Sequence, residues 1–252
     1  MIERVELLQA PAEWRAIPRE TLAQSTCVVF DVLRATSSML VALSRGASSV
    51  VPVAEIEHAL AWRKRDASVL LAGERDGLRI TAAQANGVDF DLGNSPRELS
   101  DDRVRGRTIV MTTTNGTRAL RACVGAPLVL LGSFLNLRAL AERLRASPPR
   151  RLLLVAAGTG EDAALEDSLA AGALCDRLWP LFARAKVGDA VRMARALYRA
   201  HATDIAAGLS LAENGARLLA QPALAGDVAY CAQLDSLDVI AALDADGNVR
   251  IA

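Results

Sequence analysis

"RGRTIVMTTTNGTRALRAC", residues 105–123, decides how the rest of the chain is read. Ile109-Val110-Met111 continues an apolar, β-branched run that reads as a buried strand. Thr112-Thr113-Thr114 and Asn115-Gly116 end that run, and "TRALRACV" then follows with helical spacing of its apolar positions. Asn-Gly between two strands would be a hairpin turn, but a helix follows here instead of a second strand. The turn also has a chemical reading. Gly116 permits close backbone approach, and the amides of Thr114 to Thr117, with the threonine hydroxyls, are placed to bind an anion. No G-x-x-x-x-G-K-[ST] motif occurs, so this is not a P-loop.

Similar runs recur on either side: CVVFDV (27–32), SSVVPVA (48–54), SVLLAG (68–73), PLVLLGS (127–133) and RLLLVAAG (151–158). Helical patterns near 35–45, 55–65, 116–123 and 136–146 separate them. Runs apolar on both faces suit strands covered by helices on both sides. The alternation predicts a three-layer α/β/α fold on a mostly parallel, mixed sheet. From about 161 to 235 the chain reads as mainly helical, and Asp246-Gly247, between two apolar runs, predicts a terminal β-hairpin. Without repeats or long linkers, residues 1–252 read as one α/β domain. "ASPPR" (146–150) is a soft subdivision or, equally, a short connection.

Composition narrows the function classes. Lys and Arg number 29 against 29 Asp and Glu, so no global field favours nucleic acid or a membrane surface. Aromatic content is 4%, and no basic run carries interleaved aromatics. No uncharged stretch approaches the roughly 20 residues that cross a bilayer. Glu3 and Glu6 stand where a secretion signal would need an apolar run. Cys27, Cys123, Cys175 and Cys231 are far apart, and His58 and His201 stand alone. These features predict reduced thiols in the cytoplasm, without a disulfide frame or a structural zinc.

Parallel α/β sheets bind ligands beyond the carboxyl ends of their strands, and polar residues gather at those positions. Asp31 follows VVF, as a helix cap, a Mg2+ ligand or a nucleophile. Arg34 sits a turn later, able to fork onto a phosphate or carboxylate or to make a surface ion pair. Glu74 and Arg75 end the next run, and Asn94-Ser95 precede Pro96 as caps or ligand contacts. Gly158-Thr159-Gly160-Glu161-Asp162-Ala163 matches the G-x-G-x-x-A of dinucleotide folds, which leaves a nucleotide-dependent oxidoreductase open. Glu161 and Asp162, however, would repel a pyrophosphate and suit a hard cation better. Glu166 and Asp167 point to different faces of the following helix, so at most one reaches the centre.

DVLRATSSM, GER-x-G, FDLGNSPRE, TIVMTTTNGTRA, the paired acids 166–167 before AAG, and ENGARLL…DVAYCAQLD together resemble the 2-phosphosulfolactate phosphatase family. The likeness runs in register from about residue 25 to 240. It implies an α/β, Mg2+-dependent phosphatase that converts (2R)-2-phospho-3-sulfolactate to 3-sulfolactate and phosphate, a step in coenzyme M synthesis. The implied site comprises Asp31, Arg34, Glu74, Arg75, Asn94, Ser95, Thr113 to Thr117, Glu166 and Asp167. In this reading Asp31, with Glu74, Glu166 or Asp167, holds the metal. Asp31, Arg34, Thr114 and Asn115 do the chemistry. The phosphate lies against Thr112, Thr113, Gly116 and Thr117, while Arg34 and Arg75 hold the carboxylate and sulfonate. Attack by water and attack by Asp31 both remain open. A binding protein for an anionic metabolite on the same fold is the other alternative. Helices beyond 160 pack either the core or a homodimer.

Overall fold

The computed structural model describes residues 1–252. Eleven strands form one mixed sheet: β1 (Arg4–Leu8), β2 (Thr26–Phe30), β3 (Ser49–Pro52), β4 (Leu70–Arg75), β5 (Leu78–Arg79), β6 (Thr108–Thr112), β7 (Leu128–Gly132), β8 (Arg151–Ala156), β9 (Lys186–Val187), β10 (Ala241–Leu243) and β11 (Val249–Ile251). The helices are α1 (Pro11–Arg15), α2 (Arg19–Ala23), α3 (Ala35–Ser44), α4 (Ile56–Arg65), α5 (Asp101–Val104), α6 (Gly116–Ala122), α7 (Leu137–Ala146), α8 (Leu165–Leu178), α9 (Asp189–His201), α10 (Ile205–Ser210), α11 (Glu213–Leu219) and α12 (Gly226–Cys231). The expected three-layer α/β arrangement is present. Residues 147–150 link α7 to β8, which lies between β2 and β1 in the sheet.

Strand β2 explains the layering. Its alternate residues face opposite ways, as the two-residue repeat of a strand requires. Val28 and Phe30 join the core under α7, α8 and α9, while Cys27 and Val29 join the core under α3 and α6. All four are fully buried, each large apolar side chain contributing about 1.5–3 kcal/mol. A third cluster, including Val51, Leu71, Phe90 and Val110, fills the space beneath α4.

The strand order is β5-β4-β6-β3-β11-β10-β7-β2-β8-β1-β9. β3, β4 and β6 pair in parallel, as do β7, β2, β8, β1 and β9. The terminal hairpin, with Gly247 at φ +81°, is the antiparallel joint between these two blocks. The blocks are therefore nominally opposed in direction, yet the carboxyl ends of β2 and β6 meet. Five strand steps separate β6 from β2. At roughly 20–25° of twist per step the accumulated rotation is on the order of 100–125°, enough to bring both ends to one rim.

The sequence expectation omitted β1. Its RVELL reads as too charged, but Glu6 is neutralised by Arg4 and by Arg151 on β8. With those pairs made, Val5 and Leu7 face the core.

Candidate active site

A cavity of ≈ 340 Å³ opens at this rim, and of its 19 lining residues only Leu33 and Leu218 are apolar. Five parts of the chain supply the others. They are the loop after β2 (Asp31, Arg34), the β4–β5 turn (Glu74, Asp76, Gly77) with Asn94, the loop after β6 (Thr114, Asn115), residues 158–162 with Asp167 of α8, and α11 (Glu213, Asn214, Arg217). Asp31, Glu74, Asp76, Glu161, Asp162, Asp167 and Glu213 face only two guanidiniums, Arg34 and Arg217. Fully ionised, the lining carries five excess negative charges.

Asp31 stands at the centre of this arrangement. Its Oδ1 accepts the Ala35 amide at 2.9 Å, which fixes the first turn of α3. Its Oδ2 accepts no hydrogen bond within the protein and packs against Gly116, where a β-carbon would overlap it. Burial first, then repulsion from Glu74 and Glu166, raise this carboxyl to about 7, against the Ala35 bond and the Arg34 charge that lower it.

The triple-threonine loop is built differently from expectation. Thr112, Thr113 and Thr117 are fully buried and bond within the protein. The Thr113 amide donates to Thr117 Oγ1 at 3.2 Å, and the Thr117 amide returns a bond to Thr113 Oγ1 at 3.1 Å. Thr112 Oγ1 donates to the Ala54 carbonyl. The Thr114 amide and hydroxyl both donate to Glu74 Oε1, at 2.9 and 3.0 Å, and Glu74 Oε2 accepts the Gly77 amide at 2.8 Å. A hydroxyl can turn inward to the backbone as readily as outward to a ligand, and three of the four threonines turn inward. Only the amides of Asn115 and Gly116 are left without a partner. Asn115 Nδ2 bridges to the carbonyls of Ala157 and Gly160, both at 3.1 Å, tying this loop to the one after β8.

Asp167 reaches the cavity and Glu166 does not. Asp167 Oδ1 accepts the Val32 amide at 2.8 Å and Oδ2 the Gly158 amide at 3.2 Å, so one carboxylate staples two of the loops. Its carboxyl is pushed well up by burial, then by Glu166 and Asp31. Glu166, also raised mainly by burial, lies behind the wall and accepts Asn214 Nδ2 at 2.7 Å.

Arg34 is buried and doubly held: Nη1 donates to Asp227 Oδ2 at 2.7 Å and Nη2 to the Gly77 carbonyl at 2.6 Å. Ser95 Oγ donates to the other oxygen of Asp227 at 2.7 Å, so Ser95 supports Arg34 rather than lining the cavity. Arg75 also stays outside. Its Nη1 donates to the Glu74 carbonyl and its Nη2 to Thr112 Oγ1, on the far side of β4 from the cavity. Asn94 lines the cavity, and its buried Oδ1 has no partner in the protein.

Sequence reasoning did not single out Asp227, Asn214 or Arg217. Asn214 and Arg217 are three residues apart on one helix, a spacing that puts both on one face, and this was the available signal. Residues 158–163 do not open a helix. Thr159 and Asp162 exchange backbone bonds in a tight turn, and α8 starts only at Leu165. The helix N-terminus that a dinucleotide pyrophosphate needs is therefore missing at this loop.

No three acidic, histidine or cysteine side chains converge into a ready-made metal cage. Mg2+ needs less, since it keeps water and substrate oxygens beside one or two carboxylates. Free Asp31 Oδ2, orphaned Asn94 Oδ1 and the surplus of carboxylates fit such an ion. All are oxygens, the donor type Mg2+ selects.

The sheet thus brings carboxylates and two arginines, from four loop regions and from α11, to one polar hollow at its rim, the place where α/β enzymes bind small ligands. The chain belongs to the 2-phosphosulpholactate phosphatase family, whose model matches residues 13–246. Relatives carry the name "Probable 2-phosphosulfolactate phosphatase". One from Synechococcus sp. (strain RCC307) is 37% identical over 243 residues, covering 93% of this chain and 95% of its own. One from Thermotoga petrophila is 46% identical over 169 residues, 67% of either chain. One from Caldanaerobacter subterraneus subsp. tengcongensis is 35% identical over 248 residues, 96% of this chain and 97% of its own. The chain is accordingly a phosphoric monoester hydrolase by family.

Proposed function

We propose that this protein is a Mg2+-dependent phosphatase that hydrolyses (2R)-2-phospho-3-sulfolactate to 3-sulfolactate and inorganic phosphate. The substrate follows from the names of the relatives. The metal follows from one observation: seven carboxyl groups face two guanidiniums around the cavity, an excess of five negative charges when all are ionised. A phosphate ester that also carries carboxylate and sulfonate is itself strongly anionic, and such a hollow rejects it unless cations intervene. Four free, buried cysteines support work in the reducing cytoplasm.

Bound at Asp31 with Asp167, Glu74 or Asn94, the ion supplies charge neutralisation at the phosphoryl oxygens. The remaining steps belong to the protein. The unpartnered amides of Asn115 and Gly116 receive phosphoryl oxygens as the P–O bond to carbon breaks. Glu74 holds Thr114, and Asn115 holds the 158–160 loop, so these amides are fixed before substrate arrives. Asp31 Oδ2 stands beside them. It acts either as nucleophile, giving an aspartyl phosphate that water then cleaves, or as the base that takes a proton from attacking water. Both routes end with water's oxygen on phosphate and its proton on the sulfolactate hydroxyl. Arg34, anchored by Asp227, stands at the wall to meet a flanking anion of the substrate.

The test is phosphate release from 2-phospho-3-sulfolactate with Mg2+ and with EDTA. Release with Mg2+ that stops with EDTA is expected. Tight binding of the ester without release under either condition would make the protein a metabolite-binding member of the fold, and release unchanged by EDTA would remove the metal.

A further inference from the structure

Resting on that reading, we propose that Arg217 is the residue that recognises the sulfonate, and that Glu166 and Asn214 position it. Two arginines line the cavity, and they differ in kind. Arg34 is buried with its charge balanced by Asp227 at 2.7 Å. Arg217 is exposed at the rim and makes no direct ion pair, so it is the one guanidinium of the lining left free to bind an anion.

Arg217 is also held in place. Its Nη2 donates to Asn214 Oδ1. Asn214 Nδ2 donates to both Glu166 Oε1 and Thr159 Oγ1, each at 2.7 Å, so both its protons are engaged. The acceptors on that side settle which way the amide points, and its oxygen is thereby turned toward Arg217. Glu166 is thus the base of a relay that runs Glu166, Asn214, Arg217. A buried carboxylate that does not line the cavity, put forward from the sequence as a cation ligand, acquires a role it can perform from where it stands.

The substrate carries two anions on the carbons flanking the phosphate-bearing one, a planar carboxylate and a tetrahedral sulfonate. The buried Arg34 has fixed directions and one free N–H on each Nη, which suits the planar group. The rim-exposed Arg217 keeps Nη1 and Nε free, and a weakly hydrated guanidinium suits the larger, permanently ionised sulfonate.

The experiment compares 2-phospho-3-sulfolactate with 2-phospholactate, which lacks only the sulfonate, in the wild type, Arg217→Ala, Arg217→Lys and Asn214→Ala. Arg217→Ala should lower the kcat/KM preference for the sulfonated ester at least ten-fold, the change lying in KM. Arg217→Lys should keep part of the preference, and Asn214→Ala should lose part of it, again through KM. Calorimetry with 3-sulfolactate and lactate reads the same preference without turnover, so a chain that failed to hydrolyse the ester would still test the assignment. An unchanged preference in Arg217→Ala, equal losses for both esters, or no binding of 3-sulfolactate by the wild type would overturn it.

Discussion

Asp31 and Gly116 touch: Asp31 Oδ2 lies where a β-carbon on residue 116 would have to stand, and that carbon would also come within 2.6 Å of Ala35 Cβ. The two residues are 85 positions apart and belong to opposite blocks of the sheet. Their contact joins the carboxylate of one block to the unpartnered amides of the other.

Gly116→Ala tests that contact. The backbone there is not left-handed, so the penalty is steric alone. We expect a loss of about 1–3 kcal/mol of stability, read by thermal melting, because the Ala35 β-carbon is fixed to α3 and Asp31 can clear the new methyl only by leaving its place beside the loop. Phosphate release should fall at least a hundred-fold, since about 1 Å of displacement at the reacting groups carries roughly that effect.

Asp31→Asn removes the free carboxylate oxygen beside the loop. We expect kcat/KM to fall about a thousand-fold or more, because the variant loses both the reacting carboxylate and the ion through which the anion enters. Its effect on stability has the opposite sign. The folded metal-free protein holds the Asp31 proton up to about pH 7, whereas the unfolded chain releases it near 4. Between those values the folded state binds the extra proton, so wild-type stability falls as pH rises and levels off above about 7. In EDTA, Asp31→Asn should therefore melt a few degrees above wild type at pH 8, and the gap should close toward pH 4. Mg2+ should raise the wild-type melting temperature and leave the variant where it was.

The Arg34–Asp227 pair is buried on both sides, with side-chain exposure of 2% and 0%. Asp227→Asn leaves a buried guanidinium unbalanced and should cost about 3–5 kcal/mol by denaturant unfolding. The double replacement Arg34→Met with Asp227→Leu should recover much of that stability and none of the activity. A double-mutant cycle separates the two effects.

Asn115→Ala leaves the Ala157 and Gly160 carbonyls without their bridge. The Ala157 carbonyl keeps the Trp14 Nε1 donor and Gly160 is open to water, so a loss of only about 0.5–1.5 kcal/mol is expected, that of the hydrogen bonds themselves. Hydrogen exchange should speed up in the loop after β8, and kcat should fall ten-fold or more.

Much of the fold was legible because strong apolar runs alternate with helical spacing. Helices expected at 35–45, 55–65 and 136–146 form at Ala35–Ser44, Ile56–Arg65 and Leu137–Ala146. The opposed direction of the two blocks was not legible, since it depends on where the terminal hairpin inserts, and that is a tertiary choice. At the site, Asp31, Arg34, Glu74, Asn94, Thr114, Asn115 and Asp167 do line one cavity. Thr112, Thr113, Thr117, Arg75, Ser95 and Glu166 looked the same in sequence but bond away from it. Residue type announces a donor or acceptor; its partner is decided by the packing around it. Asn214, Arg217 and Asp227 lie in stretches that carry the family resemblance but were not singled out, because polar residues in helical sequence ordinarily face solvent.

The most direct measurement is calorimetric binding of inorganic phosphate to the wild-type protein, with Mg2+ and with EDTA. Because carboxylates outnumber guanidiniums around the cavity, phosphate should bind with Mg2+ present and show no detectable binding in EDTA. Equal binding in both would contradict the claim that this acidic hollow receives its anion through a divalent ion.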